Sequence, residues 1–279
     1  MPLHIMPPLL APLPVARLRS DGRPWIGVFD SGVGGLSVAR EVRTHLPGVP
    51  MLYYADQAHV PYGGRPYDEI NGFTHAIADA LITAGASAVV VACHSACAAG
   101  LADLRAAWPH VPFIGVEPAV KPAAAATRTG VVGAVMTQAT ADGALYRRVC
   151  AEHARGVRVL TAVAPEWVAL VEAGVWEGEG ADRAVGRVLA PLLAEGIDQL
   201  VLACTHYPFL APTIARTAGP GVALVDPAPG IARQVGRVLA ARGLLSDRPS
   251  PAPFAAVTSG DAAVLNTLAV RAGLPETGA

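Results

Sequence analysis

Lysine is almost missing from this chain: Lys121 is the only one among 279 residues. Pyridoxal phosphate enzymes need a lysine for their Schiff base. That class therefore rests on one side chain in a Pro-flanked stretch (Val120-Lys121-Pro122), which reads as surface at a domain junction. The glycine signatures of nucleotide cofactors are absent too. There is no Walker A segment, and Gly32, Gly34 and Gly35 have the wrong spacing for G-x-G-x-x-G. No apolar run is long enough to span a bilayer. A formal net charge of −1 leaves no electrostatic footprint for nucleic acid. The four cysteines make no disulfide scaffold at this length, and reduced thiols are expected. A zinc site from Cys93, Cys204 and His206 would lack any C-x-x-C spacing. Neither a metal nor an organic cofactor is expected.

What is present is apolar: 52% of residues are hydrophobic, which excludes disorder and suits one large or two modest domains. Residues 1–24 are rich in proline. Those prolines interrupt the would-be apolar core of a secretory signal, and Arg17 and Arg19 follow that core instead of preceding it. A mobile extension on a cytoplasmic protein is the expectation.

The informative stretch is Leu200 to Pro208 (LVLACTHYP). Four apolar residues suit a buried strand and are too few for a helix. A thiol, a hydroxyl, an imidazole and a phenol follow at once. In open α/β sheets, ligands bind at the carboxyl ends of the strands, although a structural cysteine beside an apolar run is also common. The stretch has a twin. Leu81 to Ser95 (LITAGASAVVVACHS) aligns without gaps on Leu192 to His206 (LLAEGIDQLVLACTH) at an offset of 111 residues. Gly85 falls on Gly196 and Cys93 on Cys204. Each copy reads as a helix end, a glycine that leaves it, a buried strand and a cysteine. One unit used twice, at a period too long for a solenoid, implies two similar α/β halves. Facing each other across a cleft, they would present two thiols to one ligand.

In chain order, strands are expected at 25–29, 51–55, 113–116, 130–135, 157–163, 222–225 and 254–257, besides the two cysteine strands. Helices are expected at 36–46, 68–84, up to 127, 167–173, 181–193, after Tyr207-Pro208 to 218, 231–241 and from Asp261. This alternation predicts doubly wound parallel sheets. The division is 25–118 with 227–279 in the first domain and 119–226 in the second, the final β-α pair completing the first sheet. Asp30-Ser31 with the glycines after the first strand fits capping alone. It fits equally a turn whose main chain approaches a carboxylate closely. Tyr62 and Gly63 lie in a Pro-Tyr-Gly-Gly turn open to the same two readings. Cys93 opens a helix, which should lower its pKa, whereas Cys97 should pack into the core.

Two thiols, an aspartate, hydroxyls and glycine turns suit cofactor-free proton transfer at an acidic carbon. Inverting a stereocentre needs a base on one face and an acid on the other, and a thiolate and a thiol exchange those roles in reverse. The sequence resembles the glutamate racemase family, within the aspartate/glutamate racemase superfamily. The resemblance rests on Ile26 to Leu36 (IGVFDSGVGGL), Val60 to Gly63 (VPYG), Val90 to Cys93 (VVAC), Ile114 to Pro118 (IGVEP) and Leu202 to Pro208 (LACTHYP).

The resemblance implies interconversion of L- and D-glutamate for peptidoglycan precursors in the cytoplasm. Cys93 and Cys204 would be the acid/base pair. Asp30, Ser31, Tyr62, Gly63, Thr205 and His206 would hold or tune the substrate, with Thr137, Thr140 and Glu172 as further candidates. The partner is a small amino acid, and a homodimer is compatible with the sequence. The family has Asn-Thr after its first thiol where this chain has His94-Ser95, and usually a serine where it has Gly143. His94 and Ser95 join the candidate set. His94 keeps open a racemase or related lyase for another acidic or small substrate; a non-catalytic amino-acid binding protein is the third alternative.

Overall fold

The computed structural model describes residues 13–246, 248 and 251–276. Its strands are β1 (Ile26–Asp30), β2 (Met51–Ala55), β3 (Ala88–Val91), β4 (Phe113–Gly115), β5 (Val131–Met136), β6 (Arg158–Val163), β7 (Gln199–Ala203), β8 (Ala223–Val225) and β9 (Phe254–Thr258). Its helices are α1 (Ala16–Ser20), α2 (Leu36–His45), α3 (Tyr67–Thr83), α4 (His94–Ala107), α5 (Val120–Ala126) and α6 (Gln138–Ala141), then α7 (Ala144–His153), α8 (Pro165–Glu172), α9 (Glu179–Ala194), α10 (Ala211–Ala218), α11 (Ala228–Ala241) and α12 (Ala262–Arg271).

Two sheets form, in orders β4-β3-β1-β2-β9 and β6-β5-β7-β8, and every pairing within them is parallel. Read from the opposite edge, the second sheet is β8-β7-β5-β6. The four strands then repeat the order of the first sheet one for one, with β3 and β7 in equivalent central places. The duplication seen in the sequence is thus a duplication of topology. Gly85 and Gly196, which leave α3 and α9 ahead of those strands, both adopt positive φ (97° and 76°), where a side chain is strained. β1, β2, β3 and β7 are buried along their whole length, as strands covered by helices on both faces must be. β9 pairs with β2, so the chain returns to complete the first sheet. One buried cluster runs from Leu18 and Phe29 through Cys93 to Trp167 and Leu202, so the halves share packing.

Two expectations need correction. Residues 13–24 of the expected mobile extension are packed; residues 1–12 lie outside the described set. Leu18 on α1 is fully buried, and the Arg19 guanidinium donates to Ala84 O (2.7 and 3.2 Å), a carbonyl left over at the end of α3. The helix expected after Tyr207-Pro208, to 218, is a 3-10 turn over Tyr207–Leu210 followed by α10. Pro208 and Pro212 each supply a new first turn instead of continuing the old one. The sequence places a strand-to-helix turn at Thr137 and Thr140, and α6 and α7 follow there. It also places a proline-rich loop at Pro249, Pro251 and Pro253, of which Pro249 lies outside the described residues. Among the described residues no helix is long and apolar enough to cross a membrane.

Because Leu18 is fully buried, Leu18→Ala should lower stability by about 2 kcal/mol. Urea unfolding would measure it; an unchanged midpoint would mean that α1 does not hold to the body of the protein.

Candidate active site

The two duplicated strands end at one cavity. Chain leaving β3 reaches Cys93, which is extended (φ −113°, ψ 123°) and caps the start of α4. Chain leaving β7 reaches Cys204 directly and then the 3-10 turn. Both cysteines line a cavity with Ser31, Tyr62, Gly63, His94, Ser95, Thr137, Thr205 and His206, joined by Pro61 and Val168. It is narrow, with about 10 Å³ for water-sized occupants. A larger depression of about 560 Å³ beside Arg105 and Arg237 contains neither thiol, so size does not mark the site. No lysine or arginine lines the thiol cavity.

Three of the expected residues stand behind that wall. Asp30, at the end of β1, is fully buried. It accepts the Gly35 N–H (2.7 Å) and the Thr205 hydroxyl (3.3 Å to Oδ2). It therefore caps the start of α2 and also reaches the opposite half. Thr140 backs Thr137, whose Oγ1 is 3.0 Å from Thr140 Oγ1 and 2.9 Å from Ser95 Oγ, a row of hydroxyls crossing between the halves. Glu172, the last residue of α8, pairs with His206: Oε1 lies 2.6 Å from Nε2, and His206 Nδ1 is 3.7 Å from Cys204 Sγ. Carboxylate, imidazole and thiol thus form a line.

The glycines after β1 are explained by this line. A Cβ at Gly32 would lie 2.0 Å from Glu172 Oε1, and one at Gly34 would lie 2.3 Å from His206 Nδ1. The sequence reading had these glycines admit a ligand; they admit side chains from the other half. Between them the Val33 N–H donates to Glu172 Oε1 (2.7 Å). Gly63 is similar, since its Cβ would meet Thr137 at 2.6 Å and its carbonyl accepts the Ala139 N–H (2.9 Å). Tyr62 lines the cavity with its ring, but its hydroxyl donates to Asp56 Oδ2 (2.6 Å) and is already engaged.

The thiols have unlike electrostatic surroundings. Burial pushes Cys93 well above its ordinary pKa, and the neighbouring charge of Asp30 pushes the same way. The expected lowering by the helix start is overturned, because its pull is smaller than the loss of solvation. Ser31 Oγ, at 3.7 Å, is the hydroxyl nearest the sulfur. Cys97 is buried as expected, bonds Val91 O, and is pushed by burial up to about 12. At His206 burial opposes the imidazolium, but Cys204 and Glu172 outweigh it and the pKa stands well above 6.5. Burial likewise works against ionised Glu172, and the bond to His206 still draws its pKa below the ordinary value. The two partners agree on a charged pair.

His94 is different again. It is buried, both ring nitrogens lack a protein partner, and burial takes its pKa down to about 3. A neutral imidazole with nothing to bond, on a cavity wall, has donor and acceptor capacity free for a ligand. Gln57, Ser37 and Tyr53 were missed by the sequence reading. Ser37 Oγ donates to Thr205 O (3.0 Å), Tyr53 Oη to Gly32 O (2.5 Å) and Gln57 Nε2 to Glu172 Oε2 (3.1 Å). Only Gln57 carried a usable signal, since it follows Asp56 just past the end of a buried strand. Among the described residues, no cluster of three potential ligands could hold a metal ion.

The Asp/Glu/hydantoin racemase family profile matches residues 36–235. The chain is 46% identical over 238 residues to glutamate racemase of Herpetosiphon aurantiacus, covering 85% of this chain and 93% of that one. It is 46% identical over 228 residues to glutamate racemase of Pseudomonas aeruginosa strain PAO1, covering 82% and 86%. The crystal structure of Escherichia coli glutamate racemase with L-glutamate and the activator UDP-MurNAc-ala superposes with a TM-score of 0.80. Identity there is 32%, with 90% of this chain and 96% of that one covered.

Buried neutral His94 should make the fold acid-sensitive. Its native pKa of about 3 lies below the unfolded value of about 6.5. Between them the unfolded chain takes up a proton that the native protein refuses, so stability falls as pH drops below about 6.5, by up to about 1.4 kcal/mol per unit. Thermal unfolding between pH 7 and 5 should show a shallower decline in His94→Asn than in the parent. Equal slopes would mean that the native protein admits the proton.

Proposed function

The chain belongs to the Asp/Glu/hydantoin racemase family, and on that premise we propose how it acts as an isomerase interconverting L- and D-glutamate. The carrying observation is that two thiols, one from each copy of a duplicated unit, line one cavity. The α-carbon would sit between Cys93 and Cys204. One sulfur, as thiolate, takes the α-proton; the electron pair is held on carbon and its carboxylate; the other, as thiol, delivers a proton to the opposite face. After one turnover the two sulfurs have exchanged protonation states, and the reverse reaction restores them.

The surroundings suit that exchange. Cys93, held neutral by burial and Asp30, begins as the acid. His206, charged and 3.7 Å from Cys204, can pass a proton to that sulfur or stabilise its negative charge, with Glu172 fixing the ring. An anionic substrate in a cavity without lysine or arginine must be bound by dipoles. The start of α4 has no side-chain cap, so its first turn can donate N–H groups to a carboxylate, next to Ser95 and Thr137. His94 supplies a further neutral donor at the same end. We assign the D-glutamate to peptidoglycan precursor synthesis in the cytoplasm.

In deuterium oxide, Cys93→Ser and Cys204→Ser should each lose racemisation by at least about a thousandfold. Each should keep, at most, slow exchange of the α-proton of one enantiomer, a different one in each variant. Two variants that racemise like the parent would end the two-thiol reading. Asp30→Asn, which keeps shape and removes charge, should lower kcat about tenfold or more with KM little changed. A change confined to KM would make Asp30 a plain binding residue.

A further inference from the structure

Glu172 is badly placed to hold itself still. It ends α8, where the helix dipole disfavours a carboxylate, and its orientation therefore depends on donors from elsewhere. Oε1 receives Val33 N–H and His206 Nε2. Oε2 receives Gln57 Nε2 at 3.1 Å. Gln57 comes from the other half of the molecule, in the loop after β2.

Gln57 is in turn held by the last strand of the fold. The Gly260 N–H donates to Thr258 Oγ1 (2.9 Å), and that hydroxyl donates to Gln57 Oε1 (2.8 Å). With its oxygen taken by a donor, the amide can only present its NH₂ to Glu172, so the flip is fixed by chemistry. The backbone at Gly260 closes against Gln57 as well, since a Cβ there would lie 2.8 Å from Gln57 Cβ. A single polar chain therefore runs from the end of β9 through Thr258, Gln57, Glu172 and His206 to the sulfur of Cys204. Cys93 has different neighbours, Asp30 and Ser31.

We propose that Gln57 is a positioning residue for the Cys204 half of the reaction, holding Glu172 so that His206 stays aligned with that thiol. This rests on the two-thiol reading above. The two enantiomers have equal free energy, so kcat/KM must be equal in both directions for every variant. Damage to one thiol's step therefore cannot show as a slower direction. It shows in isotope effects. When the Cys204 step becomes more limiting, the α-deuterium effect on kcat/KM rises for the enantiomer whose proton Cys204 removes, and falls for the other.

The test uses α-deuterated L- and D-glutamate with the full chain. Gln57→Ala should lower kcat/KM about tenfold in both directions, mostly through kcat. Its two isotope effects should move apart relative to the parent. Gln57→Glu is nearly isosteric, and its neutral carboxyl can still donate to Glu172. It should approach parent activity as pH falls and lose it as the new carboxylate ionises. Thr258→Val, which frees the amide to turn, should reproduce the Gln57→Ala pattern in weaker form. Isotope effects that stay put or move together in Gln57→Ala and Thr258→Val would overturn the proposal, whatever the loss of rate. If Cys93→Ser and Cys204→Ser fail to separate the enantiomers, the two-thiol reading falls. If they separate them and Gln57→Ala does not bias the isotope effects, only the role of Gln57 falls.

Discussion

The contact between Glu172 and His206 sets terms for much of the surrounding chain. Two ionised groups 2.6 Å apart, the imidazole buried and the carboxylate 14% exposed, need close company. The backbone after β1 provides it by giving up side chains at Gly32 and Gly34 and by turning the Val33 N–H onto the carboxylate. Such a pair adds little net stability, because solvation lost on burial offsets the attraction. Its value is geometric. The imidazole cannot swing away from Cys204 while its far nitrogen is tied to a carboxylate that is itself held from both halves.

The other thiol is served by the opposite charge. Asp30 lies beside Cys93 and a charged imidazole beside Cys204, although the strands that deliver the two cysteines are copies of one another. Duplication supplied matching positions, and later divergence supplied unlike neighbours. In the two-thiol reading proposed above, a carbon inverted between the thiols would need an acid on one face and a base on the other, and unlike neighbours would help to tell the two apart.

The parallel sheets could be read in the chain because buried parallel strands leave short apolar runs, and strand ends in such sheets carry polar residues. The duplicated topology could be read because the offset of 111 residues is free of gaps. Pairings across the halves left no local trace. Gln57 and Glu172 are separated by 115 residues, and no pattern near either names the other. The acid strength of Cys93 was misjudged for a related reason. A helix start is a local feature visible in sequence, while full burial beside Asp30 is a property of the assembled core. Leu18 was taken for part of a loose extension because prolines dominate its neighbourhood, and composition does not reveal one leucine's socket. Helix α7 buries only Tyr146 and Val149, and the arginines between them hide its apolar face in the sequence.

The cavity of about 10 Å³ carries a consequence for time and not only for space. That volume is enough for about one water molecule and far less than an amino acid needs. The walls come from both halves, sewn together by Gly63 O to Ala139 N, Ser37 to Thr205 and Glu172 to Val33. An amino acid is larger than this space, so the walls must give way for one to fit. Motions of whole domains take microseconds to milliseconds, and in many enzymes release rather than chemistry sets the pace. In the two-thiol reading, the same narrow walls would limit bulk solvent while the α-proton moves. What the protein gains in protecting a fugitive anion it gives back as a ceiling on how often the door can swing.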